Sequence, residues 1–333
     1  MEIDLKELEN LTTDALKNFG YDDDETATIR DMLLYAQLRG NNQGVVKLIG
    51  KGIPKNNDAG DIKIVKETAL SVRINGNQNQ AMVVVKKALE VVLEKAKANG
   101  IGIAGTFNTS TSSGAIGYVA SEIAKRDLVG IVFASSPPRV ATAGSYEPIF
   151  GTNPIAIGIP AKPNPVVLDM TTAAMAFYGV IEAKTAGKKI PNDVAFDKDG
   201  KPTIVPSMAI KGALKSFDRG HKGSGLAMMI EILGGPLVGA ACAGVGDSKK
   251  NWGHLVIAID PDILGDRDEF INNVTMLVEN VKTTKKLPGI NEIFVPGERG
   301  NRQTDLIRTS GKIEIEENLL EELRKTAIGR GID

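Results

Sequence analysis

The sequence predicts a mixed α/β fold in which amphipathic helices alternate with short apolar strands. Apolar residues recur with the 3.6-residue period of a helix in 5–19 and 22–39, whereas 101–107 and 252–259 have the short apolar or alternating runs typical of strands. Residues 100–105 fit the pattern G-x-G-x-x-G, but a predicted helix precedes them and a predicted strand follows. A dinucleotide-binding Rossmann unit has the opposite order. We therefore expect an α/β protein that is not a Rossmann fold.

The first half of the chain is predicted to begin with two amphipathic helices followed by a pair of strands. Gly40 is a suitable stop for the second helix, because glycine often follows the end of a helix. Alternation in 62–75 predicts two short strands, and the long helix 77–99 is expected to end at Gly100. The next predicted elements are the strand 101–107, the helix 115–125 and the strand 130–135.

The second half continues this alternation. Strands are expected at 155–159, 166–169 and 252–259, and helices at 173–186, 223–241, 266–282 and 316–326. The polar stretch 187–206 is interrupted by proline and glycine and is expected to be irregular. The predicted domains are a mainly helical one from 1–75 and 290–333, a cofactor-binding one from 76–125 and 250–289, and a central α/β one from 126–249.

The composition limits the possible functions. The 333 residues include 40 Lys and Arg against 41 Asp and Glu, a formal net charge of −1. Nucleic-acid and membrane-surface ligands usually require a basic excess, so neither partner is expected. One cysteine and two widely separated histidines predict no disulfide framework and no metal centre. Since no run reaches the roughly 18 apolar residues of a membrane helix and the acidic N-terminus is unlike a signal peptide, we expect a cytoplasmic protein.

Small-residue segments at predicted helix starts are candidate anion sites. Residues 108–114, Asn-Thr-Ser-Thr-Ser-Ser-Gly, lie between a predicted buried strand and a helix. Their hydroxyls and backbone N–H groups suit a phosphate or carboxylate, although capping by Ser112 or Ser113 would explain the same residues. Residues 169–172 are a second cluster, for which capping is the simpler explanation. Residues 220–225 place a lysine between glycines where it opposes the helix dipole, which favours an anionic ligand.

Other conspicuous residues have structural explanations. His254 lies in an alternating run and is expected to be a hydrogen-bonded strand residue. Met228 and Met229 are expected to fill the core. The basic, glycine-rich segment 296–302 on its own is typical of a surface loop.

Nine short segments spread over nearly the whole chain form an ordered set. They are LRGNNQGVVKL (38–48), SGAIGY (113–118), SSPP (135–138), EPIFGTNPIAIGIP (147–160), VVLDMTT (166–172), KKIPNDVAFDKDGKPT (188–203), GHKGSGLAMMIEIL (220–233), GHLVIAIDP (253–261) and VPGE (295–298). Together they resemble the malate/L-lactate dehydrogenase family, which also contains sulfolactate, ureidoglycolate and diketogulonate dehydrogenases and cyclic imino-acid reductases. Each segment alone is weak evidence, whereas the ordered set is specific.

The resemblance implies a mixed-sheet fold of the malate/L-lactate dehydrogenase type, a homodimer, and a cleft for NAD or NADP. It implies that Arg39 and Asn42 bind the substrate, with the Arg39 guanidinium holding a carboxylate, and that Asp197 matches an active-site acid. The residues that match cofactor contacts are Ser110, Ser112, Ser113, Gly114, Asp169, Thr171, Thr172, His221, Lys222, Gly223, Gly297, Glu298 and Arg302. Arg302 is a candidate partner for the 2′-phosphate of NADP.

The chain departs from the family where two histidines are expected. Gln43 replaces the histidine of a Ser-His-Gly triplet, which is the usual proton donor, and Ser112 replaces the histidine of a His-Phe-Gly triplet. A glutamine amide cannot exchange a proton near neutral pH as an imidazole can. The remaining candidates for proton delivery are Asp197, Lys222 and a water held by Gln43 and Ser112.

The resulting hypothesis is an NAD(P)-dependent oxidoreductase that transfers a hydride between the nicotinamide and a small anionic substrate. That substrate is a 2-oxo or 2-hydroxy acid of the malate or lactate type, or a cyclic imino acid. The alternative is a family member with lost or altered chemistry that binds a ligand or cofactor. A scaffolding role has the least support, because the sequence has no repeats or coiled-coil heptads.

Overall fold

The computed structural model describes residues 1–243 and 251–330. Its helices are α1 (Leu5–Asn18), α2 (Asp23–Leu38), α3 (Ala81–Asn99), α4 (Gly117–Ala124), α5 (Phe177–Thr185), α6 (Pro206–Lys211), α7 (His221–Gly234), α8 (Arg267–Thr283), α9 (Glu298–Ser310) and α10 (Glu317–Ala327). Its strands are β1 (Glu2–Asp4), β2 (Lys63–Glu67), β3 (Ser71–Asn75), β4 (Ile101–Thr109), β5 (Val129–Ala134), β6 (Val140–Ala141), β7 (Pro148–Phe150), β8 (Ile155–Ile159), β9 (Val166–Met170), β10 (Ala195–Phe196), β11 (Ala213–Leu214), β12 (Trp252–Ile259) and β13 (Lys312–Glu314). Short 3-10 helices cover Val45–Leu48 and Pro261–Ile263.

The largest sheet of the described residues has the strand order β2-β3-β4-β12-β5-β8-β9. Strands β3 and β4 are parallel, and the other neighbouring pairs in this sheet are antiparallel. A smaller sheet has the order β10-β11-β6-β7, and β1 pairs with β13. This mixed sheet confirms the predicted α/β class, and it differs from the parallel sheet of a Rossmann fold.

The G-x-G-x-x-G segment joins a helix to a strand, as the sequence predicts. Gly100 ends α3 in the left-handed conformation, with φ +80° and its N–H donating to the Ala96 carbonyl at 2.8 Å. Gly102 lies so close to α3 that a Cβ would be 2.2 Å from the Val92 carbonyl oxygen. These glycines therefore allow α3 to pack on β4.

Most predicted helices and strands are present with shifted ends. The helices predicted to begin at residues 77 and 173 begin at Ala81 and Phe177. The helix predicted over 223–241 spans His221–Gly234, because a glycine and a proline follow it directly. The interpretation of 296–302 as a loop is wrong, since α9 begins within it.

The expectation that Met228 and Met229 fill the core is wrong. Each is 50 % exposed, and Ile232 on the same helix is 42 % exposed. Helix α7 buries Ala227 and Ile230 instead. A helix that is apolar nearly all round does not reveal from its sequence which side meets the core.

One large hydrophobic core joins the first helices to the large sheet, and a smaller core around Val140, Val180 and Leu214 lies beside the small sheet. The large sheet takes strands from all three predicted domains, and the domain boundaries stay a prediction. Within 1–243 and 251–330, every helix is too short or too polar to cross a membrane.

Candidate active site

The register of the large sheet brings several chain segments to one end of it. Trp252, the first residue of β12, pairs with Thr109, the last residue of β4. On the other side of β12, strand β5 ends at Ala134 at a similar level. At the sheet edge, Ile155 at the start of β8 pairs with Met170 at the end of β9. The segments that follow β4, β5 and β9 therefore leave the sheet side by side.

A cleft of about 470 Å³ lies at this end of the sheet. Among the residues predicted to form the site, those that line it are Gln43, Ser110, Ser112, Ser113, Gly114, Asp169 and Thr171. Arg139 and the aromatic residues Phe177 and Tyr178 line it as well. The structure thus brings residues from six separate parts of the sequence to one cavity.

Residues 110–114 present unused polar groups in the wall of this cleft. The Thr111 hydroxyl is buried and has no hydrogen-bond partner within the described part of the chain. The Gln80 side chain holds the loop from behind by donating to the Ser112 carbonyl at 2.9 Å. Gly114 adopts φ +70°, a conformation that favours glycine. A buried hydroxyl without a partner in an anchored loop fits a polar ligand such as the phosphate or ribose of a nucleotide.

Ser112 and Ser113 do not cap the following helix. Helix α4 begins at Gly117, and its N-cap, Ile116, makes no side-chain hydrogen bond. The alternative that either serine is a helix cap is therefore wrong. Ser112 Oγ instead lies 2.7 Å from Nζ of Lys47.

Thr171 and Thr172 also cap no helix, because α5 begins only at Phe177. Their hydroxyls donate to the Thr152 carbonyl at 2.7 and 3.1 Å. The end of β9 is thereby tied to the segment before β8. Thr171 lines the cleft, whereas Thr172 is fully buried beneath it.

Asp169 contributes a carboxyl group to the cleft. Its Oδ2 accepts the backbone N–H of Gly117 at 3.0 Å. Burial raises the pKa of Asp169 to about 6, and the Gly117 hydrogen bond opposes part of this rise. The carboxyl therefore changes charge just below neutral pH inside the cavity.

Arg139 contributes a cation with no counter-ion. Its guanidinium stacks on the Phe177 ring at 4.4 Å and makes no ion pair or side-chain hydrogen bond with any residue that the structure describes. Burial lowers the pKa of Arg139 while nearby Tyr178 raises it, and a guanidinium stays charged at any physiological pH. An unpaired guanidinium in a cleft wall is suited to bind a carboxylate, sulfonate or phosphate.

Lys47 lies behind Ser112 and is only 1 % exposed. Besides its contact with Ser112 Oγ, its Nζ lies 3.4 Å from the centre of the Tyr178 ring. Burial lowers the pKa of Lys47 well below its usual value. A buried lysine that meets no carboxylate among the described residues favours the neutral amine.

The structure places the predicted substrate residues outside this cleft. Arg39 lines a separate cavity, where its guanidinium donates to Asn301 Oδ1 at 2.8 Å and lies 3.8 Å from the centre of the Tyr35 ring. Asn42 donates to Glu182 and lines a further cavity. Arg39 and Asn42 therefore do not line the cleft that contains Gln43.

Asp197, the predicted active-site acid, organises a turn in this structure. Its Oδ1 accepts the backbone N–H groups of Asp199 at 2.9 Å and Lys201 at 3.0 Å. The side chain is buried at the end of β10 and does not line the cleft. These contacts give Asp197 a structural role in the turn formed by residues 197–201.

The remaining predicted cofactor residues lie at two helix starts away from the cleft. His221 and Lys222 are exposed in the first turn of α7, and Gly223 beside them is buried. Gly297 is the N-cap of α9 with φ +88°, and its neighbour Glu298 is bonded to Lys282. Arg302 on the same helix is paired with Glu292, with N–O distances of 2.6 and 2.8 Å. None of these side chains lines the cleft.

Sequence reasoning missed Lys47 and Arg139. Lys47 had a signal, because it is a single charge within the apolar run Val-Val-Lys-Leu-Ile. Arg139 directly follows the SSPP segment and gives no comparable signal, since arginine after proline is ordinary in a loop. Only the fold shows that Arg139 lines the same cleft as residues 110–114, the serine loop.

His254 is a buried strand residue, as predicted. Its Nδ1 lies 2.8 Å from Thr106 Oγ1 on the neighbouring strand. Burial lowers the pKa of His254 to about 3, so the ring is neutral at physiological pH. Across the described ranges, no group of three or more His, Cys, Asp and Glu residues is arranged to hold a metal ion.

Comparison with known proteins gives the family. The family model described as malate/L-lactate dehydrogenase matches residues 3–324. The malate/(S)-sulfolactate dehydrogenase of Methanothermus fervidus is 36 % identical over 340 residues, which cover 98 % of this chain and 97 % of that protein. The L-sulfolactate dehydrogenase of Methanothermobacter thermautotrophicus is 40 % identical over 280 residues, or 82 % of this chain and 79 % of that one.

A solved structure agrees with these relatives. The sulfolactate dehydrogenase of Methanocaldococcus jannaschii superposes with a TM-score of 0.80 at 33 % identity, covering 98 % of this chain and 97 % of that chain. The fold predicted from the resemblance is therefore confirmed. The chain belongs to the malate/L-lactate dehydrogenase family and is an oxidoreductase.

Proposed function

We propose that this protein is an NAD(P)-dependent oxidoreductase that interconverts a small 2-oxo acid and its 2-hydroxy acid. The observation that carries the proposal is the Arg139 guanidinium, which has no counter-ion among the residues the structure describes and lies in a cleft lined by the serine loop. The names of the relatives, malate and sulfolactate dehydrogenases, support the same substrate class.

The cofactor residues in this proposal are those that line the cleft. The loop 110–114 offers hydroxyls and backbone N–H groups, including the Thr111 hydroxyl, which has no partner among the described residues. Thr171 also lines the cleft. A nicotinamide cofactor, when bound, supplies the hydride for the reduction. Arg302, which pairs with Glu292, and the residues at the start of α7 stay predictions for the more distant cofactor contacts.

The substrate in this proposal carries a second anionic group. Malate and sulfolactate both bear one negative group on the reacting end and another, a carboxylate or a sulfonate, on the far end. Arg139 offers two parallel N–H groups to one of them. The rings of Phe177 and Tyr178 cover the same wall and keep water away from the ion pair, which strengthens it.

The test is a panel of substrates with both reduced cofactors. Purified protein is mixed with NADH or NADPH and with oxaloacetate, sulfopyruvate, pyruvate or a cyclic imino acid, and the loss of reduced nicotinamide absorbance is followed. We expect turnover of the two dianionic 2-oxo acids with KM values below that of pyruvate. If no substrate is reduced and neither cofactor binds, the proposal fails.

The cyclic imino acid is the second substrate class that we retain from the sequence. A protonated imine accepts a hydride without a further proton donor, which suits a chain in which Gln43 replaces the expected histidine. Preferential imine turnover in the same panel would favour it. The comparisons give no support to the alternative of a family member that binds without catalysing.

We further propose a cytoplasmic homodimer. The exposed side of α7 carries Met228, Met229 and Ile232, and α8 exposes Met276 and Leu277 while burying little of its own surface. Apolar side chains in this number favour burial against a second copy. Light scattering at micromolar protein concentration tests the proposal, with about twice the chain mass of 35.4 kDa as the expected result.

A further inference from the structure

Lys47 is a buried amine that forms no ion pair with any residue the structure describes. It extends from the 3-10 helix Val45–Leu48, directly after Gln43, and is among the largest fully buried side chains of the described residues. Burying an amine that forms no ion pair destabilises the protein. A buried lysine without a carboxylate partner that contacts a cleft-lining serine points to a role in the cleft.

The surroundings of Lys47 leave the Ser112 hydroxyl as its polar contact. Its Nζ also lies 3.4 Å from the centre of the Tyr178 ring. Lys47 borders an outer cavity whose charged lining residues are Lys51, Lys184, Glu321 and Glu322. On the cleft side the ionisable groups are Asp169 and Arg139. None of these carboxylates forms an ion pair with Lys47.

Lys47 thus stands between two cavities. Ser112 and Tyr178 line the inner cleft, and Tyr178 together with Lys47 lines the outer cavity. The Lys47–Ser112 hydrogen bond of 2.7 Å crosses the wall between them. A proton on the lysine therefore has a direct path to a hydroxyl that faces the cleft.

We propose that Lys47 and Ser112 form a proton relay that serves the carbonyl oxygen of the substrate. The proposal rests on the function proposed above. When the carbonyl carbon accepts a hydride from the reduced nicotinamide, the carbonyl oxygen takes the Ser112 hydroxyl proton. Binding of the anionic substrate draws a proton from solvent onto the Lys47 amine, which otherwise favours the neutral form. Ser112 Oγ then takes this proton, and Lys47 returns to the neutral amine. Oxidation of the hydroxy acid runs the same transfers in reverse.

The relay occupies the place where the chain lacks a histidine. Ser112 stands at one of the two positions where the family resemblance leads us to expect an imidazole, and Gln43, at the other, cannot exchange a proton. Lys222, an earlier candidate, is exposed on α7 and does not line the cleft. Asp169 is the competing donor, and its carboxyl is directed to the Gly117 N–H.

The experiment compares Lys47→Met, Lys47→Arg and Ser112→Ala with Lys184→Met, an exposed lysine of the same outer cavity. For the 2-oxo acid that the wild type reduces best, kcat is expected to fall by about 10²–10⁴-fold in the first three variants, with KM and the Kd of the reduced cofactor changed less than about threefold. Arginine keeps the charge but cannot release the proton, so it should not rescue activity. Lys184→Met should match the wild type.

A second readout does not depend on turnover. Binding of tartronate, a dianionic hydroxy acid, is measured by calorimetry in two buffers with different heats of ionisation. An anion in the cleft should draw a proton onto Lys47, so the wild type takes up close to one proton and Lys47→Met and Lys47→Arg take up none. The pH dependence of kcat distinguishes the two candidate donors. If Lys47 is the donor, its substitution shifts the fall of kcat at alkaline pH; if Asp169 is the donor, kcat falls near the pKa of Asp169 in every variant.

The outcomes separate the two proposals. Wild-type protein that reduces no substrate would overturn the proposed function and the relay with it. An active wild type whose Lys47→Arg and Ser112→Ala variants keep their kcat, or whose Lys47→Met variant takes up the same proton, would overturn the relay alone. Ser112→Ala removes one oxygen in the cleft wall and leaves Lys47 in place, so this variant still tests the relay if Lys47→Met fails to fold.

Discussion

The Gly117 backbone N–H donates to Asp169 Oδ2 at 3.0 Å, which ties the end of β9 to the start of α4. The approach is close, because a Cβ on Gly117 would lie 2.6 Å from the same oxygen. Burial raises the pKa of Asp169, and the hydrogen bond from Gly117 lowers it in part. The close approach of the two segments therefore requires a glycine at position 117.

Asp169→Asn is expected to stabilise the protein at about pH 8 and to leave its stability unchanged at about pH 4. Because the pKa of Asp169 is raised to about 6 from the ordinary 3.8, the folded state holds a proton that the unfolded state has lost, and stability falls as pH rises through this interval. Over this whole pH interval the free energy of unfolding falls by at most about 3 kcal/mol. Urea unfolding at several pH values measures it, with the exposed Asp58→Asn as control. A gain independent of pH would contradict this account.

Gly117→Ala is expected to destabilise the protein by about 1–3 kcal/mol, since the new methyl group overlaps the Asp169 carboxyl. Gly225→Ala is the matched control: this helical glycine of α7 has open space where the Cβ would lie, and the change should stabilise by about 0.5–1 kcal/mol. Thermal unfolding of both variants checks the pair. Equal effects in the two would show that the contact with Asp169 is not the cause.

Arg139→Met is expected to raise KM for a dianionic 2-oxo acid by about 10–100-fold, the effect of losing a charged hydrogen bond of about 1.5–3 kcal/mol. KM for pyruvate, which lacks the second anionic group, should change much less. Arg39→Met in parallel tests the residue that the sequence predicts as the clamp. If Arg39→Met shows the larger loss, the cleft described here is not where the far end of the substrate binds.

Gln43→His is expected to restore proton transfer in the Lys47→Met background. An imidazole at a position that lines the cleft supplies an exchangeable proton near neutral pH, so kcat for the 2-oxo acid should recover at least about tenfold. The recovered activity should titrate near the ordinary histidine pKa of about 6.5. Gln43→Asn in the same background should recover nothing.

The fold and the serine loop could be predicted because they depend on local sequence. Gly100 at the end of a periodic helix, and the alternation around His254, indicate a helix, a turn and a strand without any long-range information. The position of residues 110–114 in the cleft follows from the strand that ends just before them. Whether Ser112 or Ser113 caps a helix could not be judged from local sequence, because the answer depends on where α4 begins.

The rest of the site depends on distant contacts. The local sequence does not distinguish Arg39 from Arg139. Arg39 is hydrogen-bonded to Asn301, whereas Arg139 only stacks on Phe177, and both partners are distant along the chain. The burial of Lys47 likewise depends on α5 packing over the 3-10 helix. The exposed side of α7 could not be predicted locally either, because the position of the sheet decides which of its apolar residues are buried.

The central place of β12 has a consequence for how the protein is made. Gly253 on this strand donates to Ser135 Oγ at 3.0 Å across 118 residues of chain. Until that segment has been synthesised, β4 and β5 have no strand between them, and their open edges can pair with other chains. Contacts over such sequence distances also slow folding. Nascent chains that stop before residue 252 should therefore aggregate or recruit chaperones, and the cleft should form only after Trp252 has been synthesised.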